Sequence, residues 1–470
     1  TEDGASLVFR SSESSILEVS ILQKDKRIQK TRGKFLYFFL VSKRIIDDKI
    51  LLSSFFQVLM RFSFIKILLM SLALSLASCQ PLLPSEQVST AAPPTITPTN
   101  LPTPTLVPSP TPPFVPSPTQ PPTPLSVNAI IWASDPVIPI LNYHRFTPNS
   151  GDETSGMIRF IGDLESDLQA FYDSGYTLIS LDDLLDGNIR VPVGRRPLIL
   201  TIDDAYFANQ FSLDDQGEVS GFSAVGTIYR FSQEHPDFGF EIAMFANFGD
   251  KYYGNLFTGT WWYLAEGWQQ ALAQTIAWGI EHHVYPYNHT YRHPHLNELE
   301  DAQIQPQLAL NDQNLREYLA LAGHPEYASL LSNYVALPYG VSPATDTGKQ
   351  QLISYMDPEG DPVRAVFEAG YEYAPAYASA SFSDGFDPMH LPRMAAIPSV
   401  IKLITENAFT FPAAESCTLT FPTGSMDAQW IMTAIQQNIS SGLCPEGVYI
   451  LEEGVFIARD GAVTPYSPTD

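Results

Sequence analysis

From about Asn128 onward the sequence predicts an α/β fold built on parallel strands, in a sheet either open or closed into a barrel. Three observations predict it. Apolar runs of strand length alternate with stretches whose apolar residues recur at helical spacing. The polar residues best suited to chemistry follow apolar runs, at the end where parallel barrels carry their sites. No repeat of short period divides the chain into stacked units.

The elements follow in order along the chain. Val137-Ile-Pro-Ile-Leu141 reads as a strand. Phe160 to Gly175 sets Phe160, Leu164, Leu168 and Phe171 on one helical face and closes with glycine. Tyr176-Thr-Leu-Ile-Ser180 is strand-like, and Asp182 to Leu185 begins a helical turn. Pro197-Leu-Ile-Leu-Thr-Ile202 is a buried-strand run that ends on Asp203-Asp204. Residues 208–238 are polar and glycine-containing, and read as a long loop or insertion. Phe240 to Phe248 is a strand, Trp268 to Trp278 a helix, and Ile280 to Tyr285 a strand. Leu315 to Ala322 is helical, Tyr334 to Leu337 a strand, Val366 to Gly370 a helix, and Tyr371 to Ala378 a strand. Residues 400–470 read as a small C-terminal extension rather than another barrel unit.

The first 127 residues have a different character. The first methionine is Met60, and Met60-Arg-Phe-Ser-Phe-Ile-Lys66 is followed by about ten apolar residues, the pattern of a secretory signal. The run is too short to span a bilayer stably. Leu76-Ala77-Ser78-Cys79 then resembles a bacterial lipobox, which makes Cys79 the expected lipidation site and 60–79 a lipoprotein signal peptide. An internal membrane helix or a buried core helix is the plainer alternative. Residues 1–59 are then expected to be an upstream extension and not native. Residues 80–127 are dominated by Pro and Thr, and form a disordered tether that favours extended polyproline conformations. At about 3.1 Å per residue it reaches on the order of 140 Å. Residues 128–399 are the expected catalytic domain.

Charge narrows the partners. The formal net charge is -25, but the first 79 residues hold 12 of the 26 Lys/Arg and only 7 of the 51 Asp/Glu. The remainder therefore carries 14 basic against 44 acidic residues, about −30. Such a surface repels nucleic acid, which is excluded as a partner, and suits a neutral or cationic substrate. The two late cysteines, Cys417 and Cys444, either pair in an exported protein or stay as two buried thiols.

Two motifs carry chemistry. Thr201-Ile-Asp203-Asp204-Ala-Tyr206 sets adjacent carboxylates at a strand end, where they repel each other unless a cation or proton relieves them. A lone Asp-Asp is more often a turn or helix cap. Asn288-His289-Thr290-Tyr-Arg-His293-Pro294 spaces two imidazoles by four residues, one helical turn, so that both can face one metal. Pro294 favours an extended His293. Alone, each pattern is weak. Together they gain weight, because five of the nine histidines fall between His282 and His295.

On these motifs the chain resembles the polysaccharide deacetylases, the family 4 carbohydrate esterases with the NodB homology domain. Thr201 to Ala205 matches the family's Thr-Phe-Asp-Asp-Gly with Ile for Phe and Ala for Gly, and His289 to Pro294 matches its His-Ser/Thr-x-x-His-Pro. Ala243 to Gly249, Leu337-Pro338-Tyr339-Gly340 and Leu141-Asn-Tyr143-His144-Arg145 look like further family segments, so that the likeness covers roughly 137–395. It implies a distorted (β/α) barrel of the deacetylase type and a divalent metal on Asp204, His289 and His293. Zinc is the first expectation, with cobalt, nickel or iron also suited. It also implies Asp203 as general base and the Tyr339 N–H as oxyanion donor.

The chain departs from the family at two places. The third motif often begins with an arginine, and Ala336-Leu337 stands there; Arg393, in His390-Leu-Pro-Arg393, is the expected replacement. No Leu-His follows residue 393, which leaves His390 as the expected general acid, against the bland alternative of an exposed loop histidine. Tyr206 and Pro338 are assigned to substrate binding. Trp261 and Trp262 are candidates for stacking on sugar rings, although aromatics are more often buried. His144 is expected at the edge of the site or in a structural role, and His282 and His283 in strand or core positions.

The expected function is metal-dependent removal of acetyl groups, N-acetyl first, from a cell-envelope or extracellular polysaccharide. The protein would be a monomer, anchored through Cys79 on the extracellular or periplasmic side of the membrane. The alternative is a catalytically impaired carbohydrate-binding lipoprotein of the same fold; a tethered structural lipoprotein is a third reading.

Overall fold

In the computed structural model the described residues are 7–10, 18–21, 125–151, 157–249, 267–371, 376–421 and 427–468. Two compact units divide the chain, residues 1–113 and 114–470. In the first, strands β1 (Leu7–Arg10) and β2 (Glu18–Ile21) pair antiparallel. Cys79, the expected signal peptide, Trp261 and Trp262 lie outside the described residues. Among the described residues no helix is long and apolar enough to cross a membrane.

The second unit opens with β3 (Leu125–Trp132), β4 (Val137–Ile138), β5 (Ile140–Tyr143), β6 (Arg145–Thr147) and β7 (Ile158–Phe160). Helix α1 (Ile161–Asp173), β8 (Tyr176–Leu178), helix α2 (Leu181–Asp186) and β9 (Arg196–Ala205) follow. Next come helix α3 (Ala224–Glu234), β10 (Ile242–Ala246), helix α4 (Trp268–Glu281), β11 (Val284–Asn288), helix α5 (Ile304–Ala322) and β12 (Tyr334–Ala336). Helix α6 (Asp346–Ile353), β13 (Ala365–Tyr371), β14 (Ala378–Ser379), β15 (Leu391–Ala395) and helix α7 (Pro398–Asn407) complete the α/β part. The chain ends in β16 (Glu415–Phe421), helix α8 (Ala428–Ser440), β17 (Gly447–Leu451), β18 (Gly454–Arg459) and β19 (Ala462–Pro465).

Seven parallel strands close on themselves in the order β10-β11-β12-β13-β15-β5-β9, with β9 returning to β10. The predicted α/β class is therefore realised as a closed (β/α) barrel. Strand β9 is long enough to serve two neighbours along one edge: its first half pairs with β8 and its second half with β10. Its alternation sorts two cores. Leu198, Leu200 and Ile202 pack with Leu164, Phe171, Ile228, Ile276 and Ile404 from the surrounding helices, while Ile199 joins Phe245, Tyr287, Tyr334 and Phe367 in a second cluster. That period places Thr201 and Asp203 on the face of Ile199.

The C-terminal strands form an antiparallel sheet ordered β16-β3-β17-β18-β19, covered on one face by Ile431, Ala434 and Ile435 of α8. The other face presents Trp132, Val448 and Ile450 to the cluster that contains Ile140, Ala365 and Tyr334, which open barrel strands β5, β13 and β12. Two expected boundaries shift. The tether expected through 127 gives way to strand at Leu125, and that strand belongs to the C-terminal sheet. Helix α7 straddles the expected boundary at 399/400 and packs with the barrel helices.

Cys417 and Cys444 are joined, with Cα atoms 5.9 Å apart and a separation of 27 residues. Closing a loop of that length stabilises by about 3.5 kcal/mol in the chain-entropy description. Replacing both cysteines by serine is expected to lower stability by roughly that amount, read from urea unfolding. Reductant should produce the same shift in the parent chain and none in the variant.

Several elements differ from the sequence expectation. Val366 to Gly370 is strand, part of β13, because the barrel needs a parallel partner between β12 and β15 there. Helix α3 occupies part of the expected loop 208–238, with Ser223 capping its N-terminus by accepting from the Gly226 N–H. Helix α4 runs on to Glu281, so that β11 starts at Val284 rather than Ile280. Helix α5 begins at Ile304 rather than Leu315; buried Asn311 and Asp312 interrupt the apolar stripe that would mark its first turns in the sequence. Of the expected strand 371–378, residues 372–375 lie outside the described residues, and Ala378–Ser379 pairs antiparallel with Val137–Ile138.

Candidate active site

The motif carboxylates sit at the C-terminal end of β9, and local backbone geometry turns both toward one place. Ile202 is level with Met244 and Ala205 with Ala246, so β9 carries one extra residue across that step. Asp204 takes a φ of 55°, the left-handed region that few residues adopt. An unbroken strand would send Asp203 and Asp204 to opposite faces.

Asp203 is buried and held by a fork. Arg393 Nη1 donates to Oδ1 at 2.6 Å and Nη2 to Oδ2 at 2.7 Å, while Asn142 Nδ2 donates to Oδ2 at 3.1 Å. Arg393 is 0% exposed and also donates to the Glu368 carbonyl at 2.7 Å and to Thr201 Oγ1 at 3.2 Å. Burial alone would raise the pKa of Asp203, but the Arg393 guanidinium, with His289 and His144, holds it well below the usual carboxylate range.

Asp204 faces the histidines. Its Oδ1 lies 3.3 Å from His293 Nε2 and 3.8 Å from His289 Nε2, and the two ring nitrogens are 3.1 Å apart. Four ligands around a cation at about 2.1 Å stand roughly 3.4 Å from one another, so this triangle fits a tetrahedral metal with one open position. The ring of His289 is oriented for that role, since Nδ1 bonds the Ala336 carbonyl at 2.9 Å and leaves Nε2 toward the cluster. Burial, with His289 beside it, lowers the pKa of His293 to about 4, against the opposing pull of Asp204 and Asp203. These three residues are the group able to hold a metal among the described residues.

The two histidines do not share a helical turn. They lie on the loop after β11, where Thr290 and His293 have φ of 62° and 51°, so Pro294 does not hold His293 extended. Helix α5 supports that loop from beneath. Asn288 Oδ1 accepts from the Thr290 N–H at 2.9 Å and from Asn311 Nδ2 at 3.3 Å, while Asn288 Nδ2 donates to Asp312 at 2.8 Å. Asn311 also receives the Phe248 N–H at 2.9 Å and donates to the Ala246 carbonyl at 2.8 Å. The polar residues that interrupt the α5 stripe thus tie the ends of β10 and β11 together.

The remaining expected residues divide. Tyr339, at φ 55°, follows β12 and is 49% exposed; its ring stacks on His295 at 3.9 Å and lies 4.5 Å from the His293 ring. Pro338 is buried in the same turn. Tyr206 is buried against Phe248 and Phe211, and its ring belongs to the core rather than to a sugar-binding surface. His390 has a 62% exposed side chain paired with Glu368 Oε1 at 3.5 Å, and none of its contacts reaches the carboxylate cluster. His282 stacks on Trp278, and His283 pairs with Glu241 at 3.0 Å, beside the N-terminal end of β10.

His144, expected at the edge of the site or in a structural role, and Gln210, not singled out in the sequence, complete the site. His144 follows β5; burial lowers its pKa, while Asp203 and Asp204 act on its ring in the opposite sense. Its Nδ1 is buried without a hydrogen-bond partner. Gln210 Nε2 donates to the Asp203 carbonyl at 2.9 Å and to the His144 carbonyl, which binds the loop after β9 to the end of β5. Asn142, His144 and Arg145 were legible as part of the segment Leu141 to Arg145 that resembles a family signature, without a role for Asn142 or Arg145.

No family model matches this chain, and no curated protein matches it. Solved structures do. The chain is similar to the Streptococcus pyogenes deacetylase PplD in complex with acetate, at 17% identity and a TM-score of 0.38, covering 59% of this chain and 98% of that one. It is similar to IcaB from Ammonifex degensii, at 17% identity and a TM-score of 0.39, covering 58% and 97%. It is also similar to a de-N-acetylase from Aggregatibacter actinomycetemcomitans, at 12% identity and a TM-score of 0.37, covering 57% and 99%.

Proposed function

We propose that this chain is a metal-dependent hydrolase that removes acetyl groups, N-acetyl first, from a cell-envelope or extracellular polysaccharide. One observation carries the reading. An Asp204–His289–His293 triangle of metal-binding dimensions sits beside an arginine-clamped carboxylate, Asp203, at the C-terminal ends of barrel strands. The motif resemblance supplies the substrate class.

A bound divalent cation, zinc first, would supply Lewis-acid polarisation of the acyl oxygen and of water. Asp203, ionised and fixed by Arg393 and Asn142, takes a proton from the attacking water as its oxygen bonds the acyl carbon. The Tyr339 N–H donates to the oxygen on which charge develops. The carbon–nitrogen bond then breaks, and a proton passes to the departing amine to give the free amino sugar and acetate. His144 is better placed to give that proton than His390, because it lies among the charges of the cluster and keeps a buried ring nitrogen without a partner. The exposed Tyr339 ring flanks the metal residues, where a sugar ring would approach. Anchoring through Cys79, with the tether carrying a monomeric domain to its polymer outside the membrane, is part of the same proposal.

The test is acetate release from chito-oligosaccharides. The parent chain is expected to release acetate, to lose that activity on chelation and to regain it with one equivalent of zinc or cobalt. His289→Ala should weaken metal binding by about a hundredfold or more and abolish release. Stoichiometric metal binding without release from N- or O-acetylated glycans would sink the enzymatic reading and leave a binding protein.

A further inference from the structure

Each carboxylate of the Asp203-Asp204 pair has its own arginine. Arg393 grips both oxygens of Asp203. Arg145 stands beside Asp204 as an ion pair: its Nη2 lies 3.5 Å from Oδ2, and both side chains are buried. The other oxygen, Oδ1, faces His293 and His289 and receives Asn247 Nδ2 at 3.4 Å. We propose that Arg145 is the counter-charge that tunes the metal centre: it stands beside Oδ2 of Asp204 while Oδ1 faces the histidines, and it limits how tightly the cation is held. The proposal rests on the metal-dependent reading of the site.

Arg145 is well fixed for this. Its backbone N–H donates to the Met157 carbonyl at 3.0 Å, and β6 is paired with β7. Its guanidinium lies over the Phe207 ring at 4.4 Å, and the Phe207 N–H is tied to Gln210 Oε1 at 2.8 Å. Arginine keeps its charge at any pH at which the fold survives.

The consequence is one of charge. Two carboxylates and two guanidinia make the cluster formally neutral before a divalent cation enters, and doubly positive afterwards. A buried cation beside a ligand oxygen opposes a second cation strongly at low effective dielectric. Loss of Arg145 charge should therefore tighten metal binding. Orientation of Asp204 would survive that loss, because Asn247 and the β9 irregularity hold it independently. The benefit of the weaker hold is a positive centre, suited to the negative charge that develops on an acyl oxygen under attack.

The experiment measures cobalt affinity of the whole chain by chelator competition, in the parent, Arg145→Gln, Arg145→Lys and His289→Ala. Arg145→Gln is expected to bind cobalt on the order of tenfold more tightly or better, with an altered ligand-field spectrum as Asp204 Oδ2 becomes available. Arg145→Lys, which keeps the charge, should stay within about threefold of the parent. Arg145→Met, which keeps an apolar stem over Phe207, should tighten binding as the glutamine does and serves if the glutamine variant does not fold. Equal or weaker binding in a folded neutral variant overturns the proposal. If the parent itself fails to take up one cobalt that His289→Ala removes, the metal-dependent reading fails first, and this proposal with it.

Discussion

Asp203→Asn is expected to lower kcat/KM for acetate release by about a thousandfold while one equivalent of metal still binds. The separation follows from the geometry. Asp203 spends its oxygens on Arg393 and Asn142, whereas the metal triangle is built from Asp204, His289 and His293. Asparagine keeps the shape but turns an NH₂ toward either the Arg393 fork or the Asn142 amide, both of which donate. Some loss of stability accompanies the change, so release is measured at a temperature where circular dichroism shows the variant folded. Loss of the metal together with activity would mean that Asp203 is a ligand. Retained activity would remove it as the base.

Much of the barrel was legible in the sequence, because period-2 and helical patterns report burial directly. Pro197 to Ile202 gave a strand leading to the carboxylates, and β9 covers it. The misread elements were those in which tertiary demand overrides local pattern. Val366 to Gly370 has a glutamate and a glycine where a clean strand would have apolar residues, yet the closing barrel pairs it on both sides. Helix α5 lost its first three turns to a stripe broken by Asn311 and Asp312. Those two side chains face inward to brace the loop of His289 and His293, a requirement that a hydrophobicity pattern does not express.

The site divides along the same line. Adjacent Asp203-Asp204 and the His289, His293 pair were visible because they are close in sequence. Their backbone was not: the left-handed Asp204, Thr290, His293 and Tyr339 arise from loops over-determined by contacts with β5, α5 and β12. The role of Arg145, and Gln210 altogether, escaped notice for a related reason. Their work is done across strands that the sequence separates by about sixty residues.

Arg393→Met carries the largest expected stability effect. It removes the partner of a buried carboxylate and also deprives the Glu368 carbonyl and Thr201 hydroxyl of a donor. Breaking a buried ion pair from one side costs about 3–5 kcal/mol. The sign with pH can be worked out. Asp203 in the parent has its pKa depressed by Arg393, so its contribution is present above the unfolded carboxylate value, about 3.9, and is lost as pH falls through the folded value. Parent and variant should therefore differ most at neutral pH and begin to converge only as pH falls beneath about 4, toward the folded value. A double variant, Arg393→Met with Asp203→Asn, should be less destabilised than Arg393→Met alone, because it no longer buries an unpaired charge. Arg393→Lys should recover only part of the loss, since an ammonium cannot reproduce the two-oxygen fork. Urea unfolding of the four chains at pH 7 and at about pH 2.5 decides the matter. A double variant no more stable than Arg393→Met, or a penalty independent of pH, would mean that Arg393 acts as packing in the barrel rather than as the counter-charge of Asp203.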